Sequence, residues 1–122
     1  MPIITLTSDW GLKDHYVAAV KGTILSNMPE AIVVDISHDI PPFEIEQAAF
    51  VLRNAYPNFP KGSIHILGIN TEESDKFGHT VIEHEGHFFI GTDNGIFSLL
   101  FELKPDKIVE LTINQDSDYF TF

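Results

Sequence analysis

Three polar stretches hold the side chains best suited to chemistry. Ser8 to Asp14 sets two carboxylates, Asp9 and Asp14, around Trp10 and Gly11; Ser37-His38-Asp39 puts an imidazole beside a carboxylate; Asn70 to Gly78 carries Glu72, Glu73, Asp75 and Lys76. Carboxylates around a turn that enters a helix can accept hydrogen bonds from hydroxyls or attract a cation. The same pair also fits an architectural role, with Asp14 capping the helix and Asp9 shaping the turn. Trp10 between them suits either a core position or a platform on which a base or cation stacks. His38 precedes Pro41-Pro42 and is read as a hydrogen-bonded loop residue rather than a general base. His79, His84 and His87 raise a metal site, but no carboxylate–histidine framework of metal spacing surrounds them, so they are read as solvated hairpin residues. The chain has no cysteine, no Gly-x-Ser-x-Gly elbow and no phosphate-cradling glycine loop. Thiolate chemistry, serine hydrolysis and binding through nucleotide phosphates therefore have no support.

The elements that must position these residues follow from the patterning. Ile3 to Thr7 reads as a short buried strand ended by the Ser8-Asp9-Trp10-Gly11 turn. Val17, Val20, Ile24 and Leu25 then share one helical face, and Pro29 stops the helix. Ala31 to Asp35 is a second strand; after Pro41-Pro42 comes a helix whose buried stripe is Ile45, Ala48, Ala49, Leu52 and Tyr56. Ser63 to Ile69 is a third strand. Thr80 to His84 and His87 to Gly91 form a hairpin about Glu85-Gly86, with Val81 opposite Ile90 and Ile82 opposite Phe89. Both hairpin faces are apolar, which predicts cover on both sides. Asp93-Asn94-Gly95 leads into a helix carrying Ile96, Phe97, Leu100 and Leu103, and Lys107 to Ile113 is a last strand. The order β-α-β-α-β-β-β-α-β predicts an α/β fold: a mixed, mostly parallel central sheet flanked by helices, with one β-hairpin. Ligands of such sheets gather beyond the carboxyl ends of the strands, where the three polar stretches fall.

Seven basic residues against eighteen acidic ones give a net charge of −11 over 122 residues. That field repels nucleic acid and favours a cationic small molecule. Apolar residues make up 43%, ordinary for one globular domain. No apolar run approaches the roughly 18 residues of a membrane span, and no secretory leader opens the chain, so a cytoplasmic protein with no membrane partner is expected.

A family resemblance takes the reading further. Ile4-Thr5-Leu6-Thr7-Ser8-Asp9-Trp10-Gly11-Leu12-Lys13-Asp14 resembles the opening Thr-Asp-Phe-Gly-x-x-Asp signature of the S-adenosylmethionine (SAM) hydroxide adenosyltransferase and SAM-dependent halogenase superfamily. Val34-Asp35-Ile36-Ser37-His38-Asp39-Ile40-Pro41-Pro42 is similar to its Val-Asp-Ile-Thr-His-x-Ile-Pro-Pro motif. Ala48 to Leu52, Tyr56-Pro57, Phe59 to His65 and Gly91-Thr92-Asp93-Asn94-Gly95 continue the likeness in order. The resemblance implies that residues 1–122 form a single N-terminal SAM-binding α/β domain, with SAM as substrate and neither cofactor nor metal. It further implies a C-terminal β domain absent from this chain and a homotrimer with SAM bound where domains meet. The implied reaction is displacement of methionine from the ribose C5′ by water or halide. Asp9 would accept hydrogen bonds from the ribose hydroxyls, and Trp10 would join it in the substrate site. Asp14, with His15 and Tyr16, would face the methionine end, and SAM or adenosine would be the small-molecule partner.

Two departures qualify that reading. The water-using branch carries Asp-Pro-Gly-Val-Gly where this chain has Asn70 to Ser74, and an arginine where it has Phe77 beside Lys76. Halogenases carry tyrosine at the position of Asn70. Asparagine can orient a water but cannot take its proton, so Asn70 and Lys76 are the candidate catalytic positions of a weakened hydrolase. The alternative is a SAM- or nucleoside-binding module without catalysis. The second departure is Thr121-Phe122, which matches only the start of the family's Thr-Phe-His-Gly-Arg-Asp segment. The expectation is a domain that binds and turns over SAM poorly by itself.

Overall fold

The computed structural model describes residues 2–11, 15–41, 44–69, 79–92 and 107–111. Within them the order is β1 (Ile3–Ser8), α1 (Tyr16–Asn27), β2 (Ile32–Ser37), α2 (Ile45–Ala55), a 3-10 turn (Tyr56–Asn58), β3 (Ile64–Gly68), β4 (His79–His84), β5 (His87–Thr92) and β6 (Lys107–Leu111). The expected helix over Ile96 to Leu103 lies outside the described residues.

The described strands form one sheet in the order β2-β1-β3-β5-β4-β6. β1 pairs in parallel with β2 and β3, β3 pairs in parallel with β5, and β4 runs antiparallel to both β5 and β6. Only β4 opposes the rest, so the sheet is mixed and mostly parallel, as the alternation of strands and helices predicts.

Each face has its own core. Toward α1 lie Ile4 and Leu6 of β1 with Val20, and Trp10, Tyr16, Ile24, Val33, Ile64 and Ile66 pack around them. Toward α2 lie Leu67, Ile69, Ile82 and Phe89, covered by Ala48, Ala49, Leu52 and Tyr56. The period-two alternation along β3 sends Ile64 and Ile66 to one helix and Leu67 and Ile69 to the other. The chain leaves β1 through α1 to β2, then returns through α2 to β3 on the opposite side of β1. β1 and β3 therefore flank a topological switch point, the place where doubly wound sheets open a crevice.

The hairpin has the predicted register, Val81 opposite Ile90 and Ile82 opposite Phe89. Glu85 and Gly86 both take positive φ, 51° and 83°, the geometry a two-residue turn needs to match strand twist. Its cover differs from expectation. Thr80, Ile82, His84, His87 and Phe89 are buried on the α2 side, whereas Val81, Phe88 and Ile90 on the other face are half-buried. α1 packs on β1 and β3 and leaves that second hairpin face only partly screened. Leu25 also departs from its predicted stripe: it is 43% exposed, because Val20 and Ile24 already fill the groove over β1.

Candidate functional site

The carboxyl ends of β1, β2 and β3 stand side by side. The Asp9 N–H donates to the Gly68 carbonyl at 3.2 Å, directly across the β1/β3 switch point. The Gly11 N–H donates to the His38 carbonyl at 2.8 Å, and the Ile40 N–H to the Ser8 carbonyl at 3.4 Å. Gly11 has φ 74°, the left-handed conformation that lets the chain turn back toward α1. The first polar stretch is thus stitched to the ends of both neighbouring strands.

Trp10 lies over the end of β3. A Cβ at Gly68 would stand 2.2 Å from Trp10 Cζ2, so the indole occupies the space that any side chain at position 68 would need. The ring is nearly parallel to the His38 imidazole (centroids 5.9 Å, 17°) and meets Tyr16 edge-on at 4.9 Å. Partial burial raises the pKa of the Tyr16 phenol, which keeps it a hydroxyl donor. Trp10 and Tyr16 remain half-buried, as does Asp9. The pair therefore forms an aromatic wall next to a carboxylate, suited to an apolar ring or a cation carried beside hydroxyls.

Beneath the wall runs a polar chain. His38 is 3% exposed. Its Nδ1 bonds to the Ser8 hydroxyl, and its Nε2 bonds to Asp35 Oδ1 at 2.8 Å. Lys21 of α1 donates to the other Asp35 oxygen at 2.5 Å. A carboxylate only accepts, so in the neutral imidazole the proton is assigned to Nε2 and Nδ1 accepts from Ser8. The Ser8 oxygen in turn accepts from the Trp10 N–H at 3.3 Å. Partial burial works to raise the pKa of Asp35, but the hydrogen bonds and charge of Lys21 and His38 outweigh it and hold the carboxyl below its ordinary value. Asp35 is therefore a firm anion at neutral pH.

The structure brings Asp9, Trp10 and Tyr16 to one end of the sheet. His15 is exposed and occupies the N-cap position of α1 without a side-chain cap bond. That position was expected of Asp14, but the helix begins one residue later, the usual slack of a helix boundary. Asp14, Asn70 and Lys76 lie outside the described residues. Sequence reasoning passed over Ser8, Lys21 and Gly68, whose partners are remote in the chain. Only the i, i+3 spacing of Asp35 and His38 could have signalled their contact.

The hairpin histidines contradict the solvated reading: His84 and His87 are buried, 8% and 5% exposed. His87 meets the fully buried His65, whose Nδ1 bonds to the Thr5 hydroxyl at 2.7 Å and whose Nε2 lies 3.1 Å from His87 Nδ1. Tyr56, Phe59 and Phe89 surround His65 and His87 with edge and stacked ring contacts. Alternation within the strands turns all three imidazoles to the α2 face, where those aromatics cover His65 and His87. Among the described residues no group of three or more His, Asp or Glu side chains is arranged to hold a metal. No described helix is long and apolar enough to cross a membrane.

Residues 4–122 match the model of the SAM hydroxide adenosyltransferase N-terminal domain. The chain belongs to that family. Within it, the chain is 40% identical over 107 residues to an (R)-S-adenosyl-L-methionine hydrolase of Methanocaldococcus jannaschii, covering 84% of this chain and 40% of that protein. It is 34% identical over 100 residues to the Thermus thermophilus protein of the same name, covering 82% and 39%. A fluorinase of Nocardia brasiliensis is 38% identical over 63 residues, 52% of this chain and 21% of that protein. The fold superposes on a conserved protein of Thermotoga maritima with a TM-score of 0.82 at 29% identity, covering 90% of this chain and 42% of that one. The chain spans about two fifths of the length of the hydrolases it matches (40% and 39%).

Proposed function

We propose that this chain is the N-terminal, SAM-binding domain of a SAM-cleaving protein that releases adenosine and methionine. The observation that carries the reading is the position of Asp9, tied by its own N–H to Gly68 across the β1/β3 crevice and flanked by Trp10 and Tyr16. A two-oxygen acceptor there suits the vicinal hydroxyls of a ribose, and the net charge of −11 favours the sulfonium. Asp14 with His15 and Tyr16 would take the methionine end. In the reaction a water oxygen bonds to C5′ as the C5′–S bond breaks; the bonding pair leaves on sulfur as a neutral thioether, and the water surrenders a proton to solvent or a nearby carboxylate. The protein's task is then mainly to orient water and substrate, which Asn70 and Lys76 can share. A second, β-rich domain and a trimeric assembly would complete the pocket.

Asn70 favours a second reading, a SAM- or nucleoside-binding module that has lost its proton acceptor. Loss of a general base costs about 10²–10⁴-fold in rate. Incubating the full-length protein with SAM separates the two. Adenosine and methionine forming in equal amounts, faster after Asn70→Asp, support the hydrolase. SAM binding by calorimetry without product supports the module, and absence of both binding and product removes the SAM reading altogether.

A further inference from the structure

We propose that His38 is the positioning residue of this site: held from behind by Asp35 and Lys21, it fixes the Asp9-Trp10-Gly11 turn in its ligand-binding shape. The inference rests on the functional reading above for the nature of the ligand, but its geometry stands apart from it. Three different groups of His38 grip the turn. Its Nδ1 bonds to the Ser8 hydroxyl, which also receives the Trp10 N–H; its carbonyl receives the Gly11 N–H; its ring face lies against the indole. Asp9 thus sits between two clamped neighbours, and its own N–H is fastened to β3.

The backbone supplies an independent reason to place His38 there. The β1–β2 register slips between Leu6 and Thr7: Leu6 pairs with Asp35, whereas Thr7 pairs with Ser37, leaving Ile36 as an extra residue. Such bulges shift all that follows by one position and re-aim side chains near functional sites. Here the slip sets the His38 ring against Ser8 instead of carrying it past the end of β1. Asp35, before the bulge, keeps its place on the α1 face opposite Lys21 and reaches Nε2 from the other side. The imidazole is therefore oriented from both nitrogens, as a positioning ring must be.

Trp10 is the single tryptophan of the 122-residue chain, so its emission reads the turn directly. His38→Ala in this chain should shift that emission to longer wavelength, because the indole loses the ring beneath it. Unchanged emission in a folded His38→Ala protein would overturn the proposal without any ligand. In the full-length protein, His38→Ala should weaken adenosine or SAM binding about tenfold, the scale of one lost buried hydrogen bond. His38→Asn keeps an acceptor close to the place of Nδ1 and should recover most of that affinity. Equal affinity of wild type and His38→Ala, or equal loss in the Asn and Ala variants, would also overturn it. Should His38→Ala fail to fold, Ser8→Ala removes the same link and must lower affinity in the same direction. A wild-type protein that binds neither adenosine nor SAM defeats the functional reading; the emission shift then decides the positioning role alone.

Discussion

Histidines sit at both ends of this sheet, and the two ends treat them in opposite ways. At the carboxyl end His38 is bonded to an anion, Asp35, and to a hydroxyl, and lies under a half-buried indole. At the amino end His65 and His87 are packed among Tyr56, Phe59 and Phe89, and among the described residues no carboxylate is bonded to either ring. Burial, with His87 beside it, lowers the pKa of His65 from 6.5 to about 4, and burial lowers that of His87 against the pull of Glu85. One end is built to hold polar groups in fixed directions; the other uses imidazole as a neutral aromatic. Residue type alone does not distinguish a site from a core; the partners supplied by neighbouring strands do.

The largest effect should come from acid at the amino end. His65 has a folded pKa of about 4 against 6.5 when unfolded. Between those values the unfolded chain binds a proton that the folded chain refuses. Stability is therefore fully present above pH 6.5 and falls as pH drops toward 4, by roughly 3 kcal/mol at 1.36 kcal/mol per unit; His87 adds in the same direction. Urea melts from pH 7 to pH 4 measure this slope, and His65→Gln should flatten it. An unchanged slope would break the contrast between the two ends.

Next is Asp9→Ala at the carboxyl end. On the proposed function Asp9 would make two charge-assisted bonds to a ribose diol, so affinity for adenosine or SAM should fall roughly 100-fold, as calorimetry would register, while the acid slope stays as in the wild type. Gly68→Ala follows. Its Cβ cannot share space with Trp10, so overpacking should cost about 1–3 kcal/mol. Replacing the indole as well (Gly68→Ala with Trp10→Leu) should restore most of that in thermal melts. If Gly68→Ala is neutral by itself, the indole is not wedged against β3. The smallest effect is a gain. Glu85 takes positive φ at the hairpin turn, and Glu85→Asn should raise stability by roughly 0.5 kcal/mol without altering ligand affinity.

Much of the fold was legible because its elements obey local rules. The alternation in Thr80 to Gly91 and the Glu85-Gly86 turn give the hairpin register correctly, and Pro29 and Pro41 bracket the second strand. The position of Asp9 beyond β1 was legible for the same reason. The supports of the site were not. Ser8 meets His38 thirty residues away only because β2 lies beside β1 and carries a bulge, and no pattern in Val34 to His38 announces the slip. The buried histidines were misread because a histidine at a hairpin end looks solvated until the α2 face covers it. Leu25 was misplaced because the helix carries one more apolar residue than its groove accepts.

β1 is an inner strand of the sheet, and both of its neighbours, β2 and β3, follow it in the chain. Ile4 has Val33 on one side and Ile64 on the other, so the opening segment must wait, half-dressed, until both later strands have emerged. Deleting β1 would leave β2 and β3 with no strand between them and strip Ile4 and Leu6 from the core beneath α1. Any segment joined ahead of Ile3 leaves from the amino end of β1, the opposite end of that strand from Asp9.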